Sequence, residues 1–348
     1  MKATYHKYIL NFKRPSGTSR GVMTEKETWF IVLEQDGKKG IGECGILRGL
    51  SIDDRPDYEE KLQGTCDNIQ LEKDQLWEAL LEFPSIQFGV EMAFQSLVSE
   101  SPFLLFPSDF TNGAKSILIN GLVWMGEEAF MKQQIEEKLA QGFTCIKLKI
   151  GAIDFDKELQ LLRFIREHFT PEQVEIRVDA NGAFDEISAL DKLTQLSEFK
   201  LHSIEQPIQK NNTDSMAELC KITPFPIALD EELIGVFSLA EKEQLLLKIK
   251  PQYIILKPSF IGGFRGTQEW ISLAKKHKIG WWVTSALESN IGLNAIAQWT
   301  FLQHNLMPQG LGTGALFTNN FDCPLQVLQG QLWYKKELDW AFDFNLFK

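Results

Sequence analysis

The stretch CIKLKI (145–150), followed by VEIRVDA (174–180), introduces a pattern that recurs along most of the chain. Each segment is short, apolar and β-branched, and each ends near charged residues. Amphipathic stretches with apolar residues at i, i+3, i+4 and i+7 lie between most of the segments. The full set reads KSILING (115–121), CIKLKI (145–150), VEIRVDA (174–180), LHSIEQP (201–207), PIALDEE (226–232), YIILKPS (253–259), GWWVTSA (280–286) and, more weakly, MPQGLGT (307–313).

Eight strands that alternate with helices, at steps of roughly 25–30 residues, predict an α/β fold of the (β/α)8-barrel type. A doubly wound open sheet is the structural alternative. The predicted barrel domain covers residues 106–313. Because active-site residues in such barrels follow the carboxyl ends of the strands, the site is expected at that end.

The chain on either side of the barrel has no βα period. Residues 1–105 are predicted to form an α+β capping domain, and the aromatic-rich tail 314–348 is expected to return to it. The cap is predicted to contain an antiparallel meander at 2–12, 28–34 and 38–44, followed by helices near 58–82 and 87–98.

The composition of the chain argues against several classes of protein. A formal charge of −11 over 348 residues, with no block of like charge, argues against nucleic acid or an anionic membrane surface as a partner. No apolar run approaches the ~18 residues that span a bilayer, and no signal-peptide pattern is present. Five scattered cysteines without a CxxC pair favour reduced thiols. We therefore expect a cytoplasmic protein, and its oligomeric state stays open.

Charged side chains stand at the ends of consecutive predicted strands. Asp179, Glu205 and Asp230 would converge, and three bare carboxylates would raise one another's pKa. An oxygen-only set suits a hard dication, so we predict Mg²⁺, with Mn²⁺ as a substitute. The neighbouring Glu231 and Glu232 are expected to be ordinary first-turn helix charges.

Lysines flank this predicted metal site. Lys147 and Lys149 share one face of strand 2, and Lys257 ends strand 6 on the opposite side of the ring. Such an arrangement suits proton abstraction next to a substrate carboxylate, with the metal and a lysine stabilising the resulting enediolate. A lysine base needs a lowered pKa, which nearby cations favour. The expected partner is a small-molecule carboxylate.

At these residues the sequence resembles the enolase superfamily, in its muconate-lactonizing-enzyme-like subgroup, over nearly the whole chain. Enzymes of this superfamily use a Lys or His base with Mg²⁺ to stabilise an enediolate. The resemblance implies that Asp179, Glu205 and Asp230 are metal ligands. It further implies that Lys149 is the general base, Lys147 its electrostatic neighbour and Lys257 the lysine on the opposite face. The remaining matching position is Asn181, beside the substrate.

Within the subgroup the chain is most similar to the o-succinylbenzoate synthase family, in pieces such as RPSGTSRG (14–21), KPSFIGGF (257–264) and TSALESNIG (284–292). This resemblance implies a Mg²⁺-dependent syn dehydration in menaquinone biosynthesis. The alternatives on the same site are a racemase or epimerase of N-acylamino acids or dipeptides, or a cycloisomerase. Strand 8 reads GLGTG (310–314), without the acidic D-x-D element that typically holds a dipeptide ammonium in the epimerases.

Substrate-binding residues are harder to assign. Arg20, in the 14–21 loop, is predicted to approach a distal substrate carboxylate, with Arg48 as the alternative, and Ser285 is predicted to contact the substrate. Two other classes remain as rivals. One is an aldolase-type barrel with a Schiff base on Lys149 or Lys257, which leaves the carboxylate triad unexplained. The other is a non-catalytic binding protein on an inherited barrel.

Overall fold

The computed structural model describes residues 1–18 and 21–347. Its N-terminal part begins with the predicted meander, an antiparallel sheet of β1 (Lys2–Thr18), β2 (Gly21–Gln35) and β3 (Lys38–Gly45). Asp36 and Gly37 form the two-residue turn between β2 and β3, and both have positive φ, at 52° and 77°. This geometry matches the twist of the strands it joins.

Three helices follow this sheet, where the sequence predicts helical structure: α1 (Tyr58–Asp67), α2 (Lys73–Ala79) and α3 (Pro84–Val98). Helix α3 packs across β3, where glycines face each other. A Cβ added to Gly42 would lie 1.8 Å from the carbonyl oxygen of Gly89, so this close approach requires glycine. The contact fixes the helix on the sheet.

The central part of the chain forms a curled sheet of seven parallel strands, each paired with the next in chain order. The strands after the short β4 (Ile117–Leu118) are β5 (Gly121–Val123), β6 (Cys145–Lys149), β7 (Glu175–Asp179), β8 (Ser203–Glu205), β9 (Ile227–Leu229), β10 (Tyr253–Leu256) and β11 (Gly280–Val283).

A helix follows each of these seven strands, as the period of the sequence predicts. The helices are α4 (Glu128–Ala140), α5 (Phe155–His168), α6 (Ala189–Ser197), α7 (Thr213–Ile222), α8 (Leu239–Ile249), α9 (Gly263–His277) and α10 (Asn290–Phe301). Buried aliphatic side chains of strands and helices form one core between them. The α/β class and the alternation are therefore confirmed.

Two predicted strands differ from the structure. In the 115–121 segment, β4 pairs antiparallel with the C-terminal hairpin, and the first parallel strand, β5, begins only at its last residue, Gly121. The predicted eighth strand forms no ladder within the described residues. Instead, Gln309 bridges to Ile119, just before β5, and Gly310 bridges to Thr284, just after β11. Glycines and Pro308 surround these residues and shorten the pairing. Within the described residues the parallel sheet is therefore curled but has seven strands, and no eighth strand closes it into the predicted barrel.

The C-terminal segment contains the hairpin of β12 (Leu325–Leu328) and β13 (Gln331–Tyr334). Beyond it, the Trp340 ring stacks on Phe103 with 4.1 Å between ring centroids. Upstream of it, Phe321 lies 5.3 Å from Tyr8 of β1. The domain boundaries at 105 and 313 stay a prediction. Among the described helices, none has the length and apolar character needed to cross a bilayer.

Candidate active site

The register of the parallel sheet brings three carboxylates together at the carboxyl ends of its strands. Lys149 pairs with Asp179, Asp179 pairs with Glu205, and Asp230 directly follows β9. All three carboxylates are nearly inaccessible to solvent, with at most 3% of the residue exposed. One oxygen from each lies within 4.8 Å of the others. The three predicted metal ligands therefore form one cluster.

The lysines of β6 contact this cluster from one side. Lys147 Nζ lies 2.8 Å from Asp179 Oδ2 and also bonds Glu205 Oε2. Lys149 Nζ lies 2.6 Å from the same Asp179 oxygen. Because side chains alternate along a strand, Lys147 and Lys149 point to the same face of the sheet and Leu148, between them, points to the other. The Lys-x-Lys pair is thus buried beside the carboxylates rather than at a solvated edge.

Lys257 contacts the carboxylate cluster from a different strand of the same sheet. It directly follows β10, four strands from β6, and its Nζ lies 2.5 Å from Asp230 Oδ2. Its side chain is 12% exposed. Lysines therefore stand on both sides of the carboxylate cluster, as the sequence predicts.

Burial and neighbouring charges shift the pKa values of the clustered carboxylates in opposite directions. Burial raises the pKa of Glu205 to about 8, because it disfavours the carboxylate form. Burial also acts on Asp179, but Lys147 and Lys149 outweigh it and hold the pKa of Asp179 well below its usual range.

The lysines divide in the same way. Burial lowers the pKa of Lys149, and the ammonium groups of Lys147 and Lys257 add to this shift, which Asp179 opposes without reversing it. Burial likewise opposes the charge of Lys257, but Asp230 more than offsets it and raises the pKa of Lys257. Lys149 is the lysine with the lowered pKa, which is the property that a general base requires.

Asn181 lies directly beside Lys149. It follows β7 with a φ of 46°, and its Oδ1 accepts a hydrogen bond of 2.8 Å from Lys149 Nζ. Its Nδ2 donates to Glu231 Oε1 at 3.0 Å. Glu231 and Glu232 stand in the first turn of a short 3-10 helix, Glu231–Leu233, as expected. They are not ordinary surface charges, however, because both are buried and Glu232 Oε2 accepts from Gln206 Nε2 at 3.0 Å.

A cavity of about 510 Å³ opens above the lysines. Residues of the N-terminal part cover it, among them Arg14 on β1 and Arg48 in the loop after β3. Gly310 and Gly312, from the predicted eighth strand, form part of its wall. Arg48 pairs with Glu27 and Asp54, whereas no described residue forms an ion pair with Arg14. Arg20 lies outside the described residues.

Ser285 lines this cavity with its hydroxyl group already engaged. Its Oγ donates to Glu288 Oε2 at 2.6 Å and accepts from Thr313 Oγ1 at 2.9 Å and from the Leu287 N–H at 3.0 Å. Glu288 also accepts from Ser259 Oγ at 2.6 Å. In the sequence Glu288 is a single charge just after the predicted strand 280–286, and only the fold brings it into contact with the turn after Lys257.

The donor set fits a divalent metal ion. It consists of carboxylate oxygens alone, which is the preference of Mg²⁺ and Mn²⁺. Glu205 Oε1 is buried and has no hydrogen-bond partner in the part of the chain that the structure describes, so this ligand atom is left for an ion. An uncompensated buried acceptor is costly, and a cation at this point would remove that cost.

Comparisons with known proteins agree over both parts of the chain. Residues 130–336 match the family described as enolase C-terminal domain-like, and residues 1–97 match the family described as MenC, N-terminal domain. An o-succinylbenzoate synthase from Desulfotalea psychrophila is 48% identical over 95% of this chain and 98% of its own length. An N-succinylamino acid racemase from Thermus thermophilus is 28% identical over 79% of this chain and 75% of its own.

Solved structures give the same picture. The crystal structure of MenC from Desulfotalea psychrophila superposes with a TM-score of 0.85 at 45% identity, covering 96% of this chain and 99% of that one. A muconate lactonizing enzyme from Pseudomonas fluorescens, complexed with muconolactone, reaches a TM-score of 0.81 at 22% identity, covering 99% and 96% of the two chains. Because the second structure is only 22% identical in sequence, its similarity shows a shared fold and nothing about activity.

Proposed function

The chain belongs to the o-succinylbenzoate synthase family of the enolase superfamily, and from this premise we propose the reaction that it catalyses. It is a carbon–oxygen lyase that dehydrates 2-succinyl-6-hydroxy-2,4-cyclohexadiene-1-carboxylate to o-succinylbenzoate, a step of menaquinone biosynthesis. The observation that carries the proposal is the placement of Lys149 and Lys257 on either side of the buried carboxylate cluster, below a cavity of about 510 Å³.

Asp179, Glu205 and Asp230 hold Mg²⁺ in this proposal, and Mn²⁺ replaces it. When bound, a dication would offset two of the three negative charges of these carboxylates and would attract the substrate carboxylate. The short distances between the oxygens and the unpartnered Glu205 Oε1 support this assignment.

Lys149 acts as base and then as acid. Its neutral amine removes the proton from the carbon next to the substrate carboxylate, and the C–H electron pair moves into the carboxylate to give an enediolate. That pair then returns to form the new ring double bond, as the bond from the adjacent carbon to its hydroxyl oxygen breaks. The proton on Lys149 leaves with the hydroxide as water. One lysine on one face gives a syn elimination.

The remaining polar groups hold this arrangement. Lys257 supplies a fixed positive charge to the enediolate from the other side. Lys147 contributes to the lowered pKa of Lys149, and Asn181 orients the Lys149 amine. Arg20, with Arg48 or Arg14 as alternatives, meets the distal succinyl carboxylate, and Ser285 forms part of the substrate wall. The enzyme acts in the cytoplasm on a small-molecule carboxylate.

Racemisation of N-acylamino acids is the second candidate. It is favoured by lysines on both sides of the cluster, because removal of a proton on one face and its return on the other needs two such groups. A free dipeptide ammonium is disfavoured, since Gly310, Gly312 and Thr313 line the cavity without a carboxylate.

The test is an absorbance assay with the cyclohexadiene substrate. We expect the purified protein to form the aromatic product with Mg²⁺ or Mn²⁺, to lose activity in excess EDTA and to regain it with metal. Full activity without metal would contradict the metal assignment. Faster racemisation of an N-succinylamino acid would favour the second candidate. Trapping of a substrate–lysine adduct by borohydride would instead indicate the aldolase-type alternative.

A further inference from the structure

A buried carboxylate of the N-terminal sheet reaches across to the helix that follows β11. Glu43, on β3, is fully buried. Its Oε1 accepts from the Ser289 N–H at 2.9 Å, and its Oε2 accepts from Ser289 Oγ at 2.5 Å and from the Gly292 N–H at 2.9 Å. Thr28 Oγ1, on the neighbouring strand, donates to Oε1 at 2.9 Å. Helix α10 therefore begins on a carboxylate that belongs to the other part of the chain.

The residues just before α10 form a wall of the cavity. We define the 284–288 wall as Thr284, Ser285, Ala286, Leu287 and Glu288, of which the first four line the cavity. Leu287 has a φ of 65°, in the left-handed region that leucine rarely adopts. Such a conformation persists only where the surroundings fix it.

Within the 284–288 wall, Glu288 forms side-chain hydrogen bonds that connect it to its surroundings. Its two oxygens accept from Ser285 and from Ser259, which stands two residues after Lys257. Glu288 thus ties the end of β11 to the end of β10. Glu43 fixes the adjacent Ser289, so it anchors the wall at the point where the helix begins.

Lys26 lies in the same buried region. It is on β2 and is 4% exposed, and its Nζ has no hydrogen-bond partner among the described residues. Burial lowers the pKa of Lys26, and the charges of Glu43 and Glu288 oppose this shift. The Lys26 side chain therefore interacts electrostatically with both the anchoring carboxylate and the carboxylate inside the wall.

We propose that Glu43 is a positioning residue, which holds the 284–288 wall in the conformation that receives the substrate. The inference rests on the proposed function, because the wall lines the cavity that the substrate occupies. Among the described residues, the hydrogen bonds of the Glu43 carboxylate go to Thr28, Ser289 and Gly292, and none goes to Lys149, Lys257 or the metal-binding cluster. We therefore expect its effect to fall mainly on substrate binding.

The chain offers a matched control. Glu91, on α3, also carries a carboxylate across to a helix start, where it accepts from the N–H groups of Phe264 and Arg265 at 2.5 and 3.3 Å. Glu91 does not line the cavity, and among the described residues it forms no hydrogen bond with the 284–288 wall. Each alanine variant therefore removes a carboxylate that accepts from two N–H groups at a helix start, but only Glu43→Ala removes one next to the wall.

Steady-state kinetics with the cyclohexadiene substrate separates the two variants. We expect Glu43→Ala to raise KM at least tenfold while kcat falls less than threefold, and Glu91→Ala to keep both within twofold. Glu43→Asp, which retains the charge, should recover most of the loss in KM. Equal KM values in wild type and Glu43→Ala, or equal increases in Glu43→Ala and Glu91→Ala, would overturn the proposal. If the alanine variant does not fold, Glu43→Asp carries the test with a KM increase of three- to fivefold.

Hydrogen–deuterium exchange provides a readout that needs no turnover. Peptides covering residues 284–294 should exchange faster in Glu43→Ala than in wild type or Glu91→Ala. Unchanged exchange there would reject the anchoring role even in an active enzyme. If the wild type does not dehydrate the substrate while exchange still differs, the proposed function fails and the anchoring role of Glu43 stands.

Discussion

Lys149 and Lys257 carry the same charge in different surroundings, and this difference predicts different responses to mutation. Burial and two ammonium groups lower the pKa of Lys149, whereas Asp230 raises that of Lys257 against burial. We expect Lys149→Ala to lose on the order of 10⁴-fold or more in kcat, because one group serves as both base and acid. Lys257→Arg, which keeps the charge, should retain more activity than Lys257→Ala.

Measurements of kcat for the Lys149 and Lys257 variants under saturating Mg²⁺ test these predictions. Mn²⁺ affinity, measured in parallel, should not fall in either alanine variant, because each change removes an ammonium group that contacts a carboxylate of the cluster. Equal losses in Lys257→Arg and Lys257→Ala would contradict a role based on charge alone.

Asp230 provides a second test at the level of single residues. We expect Asp230→Asn to weaken Mn²⁺ binding at least tenfold, or about 1.4 kcal/mol, because an anionic ligand is lost. The fold should persist, since the change also relieves repulsion within a buried cluster of carboxylates. Calorimetric titration with Mn²⁺ and thermal unfolding measure the two effects. An unchanged dissociation constant would exclude Asp230 as a ligand.

The charged residues of the site were predictable because their position depends on strand period alone. Lys149, Asp179 and Glu205 lie in register on adjacent strands, so spacing in the sequence becomes proximity in space. Glu231 and Glu288 were not predictable in this way. Their partners, Asn181 and Ser259, stand on other loops, and no local pattern distinguishes a buried carboxylate from a solvated one.

At the level of elements, the helices and the inner strands follow from periodicity, whereas the two edges do not. The 115–121 segment looks like a strand and contains one, but β4 pairs with a hairpin more than 200 residues away. The eighth segment, rich in glycine, forms single bridges at Gln309 and Gly310. Pairing over such distances is decided by tertiary packing, which propensity does not report.

Helix α8 offers a test of local stability away from the site. Ser238 Oγ accepts from the Glu241 N–H at 3.2 Å, and Glu241 Oε2 accepts from the Ser238 N–H at 3.0 Å, which completes a capping box. We expect Ser238→Ala to lower the free energy of unfolding by about 1 kcal/mol. Urea unfolding measures the loss, and kcat and KM should stay unchanged. A stability equal to that of wild type would show that solvent replaces the cap.

At the level of the whole molecule, the N-terminal part completes the cavity that the parallel sheet opens. The hairpin of β1 and β2 contributes residues 13–16 and 21–23 to its lining. Fixed contacts hold the two parts together elsewhere, through Glu43 at the start of α10 and Glu91 at the start of α9. Lysines from the strand ends and residues of the N-terminal part therefore line the same cavity.

The charges around the cavity predict which substrates the enzyme accepts. Among the described lining residues are seven lysines and arginines and a single carboxylate, Glu137 on α4. A dianion gains from this field, whereas a free ammonium group meets repulsion and finds no acidic partner at Gly310, Gly312 or Thr313. We expect kcat/KM for the succinyl-cyclohexadiene substrate to exceed that for an L-Ala-D/L-Glu dipeptide at least ~100-fold, or about 2.7 kcal/mol of transition-state discrimination. N-succinylamino acids, whose amine is acylated, should fall in between.

The three substrates are compared on one preparation with saturating Mg²⁺. A dipeptide that reacts faster would contradict the dehydratase assignment while leaving the metal and lysine assignments intact.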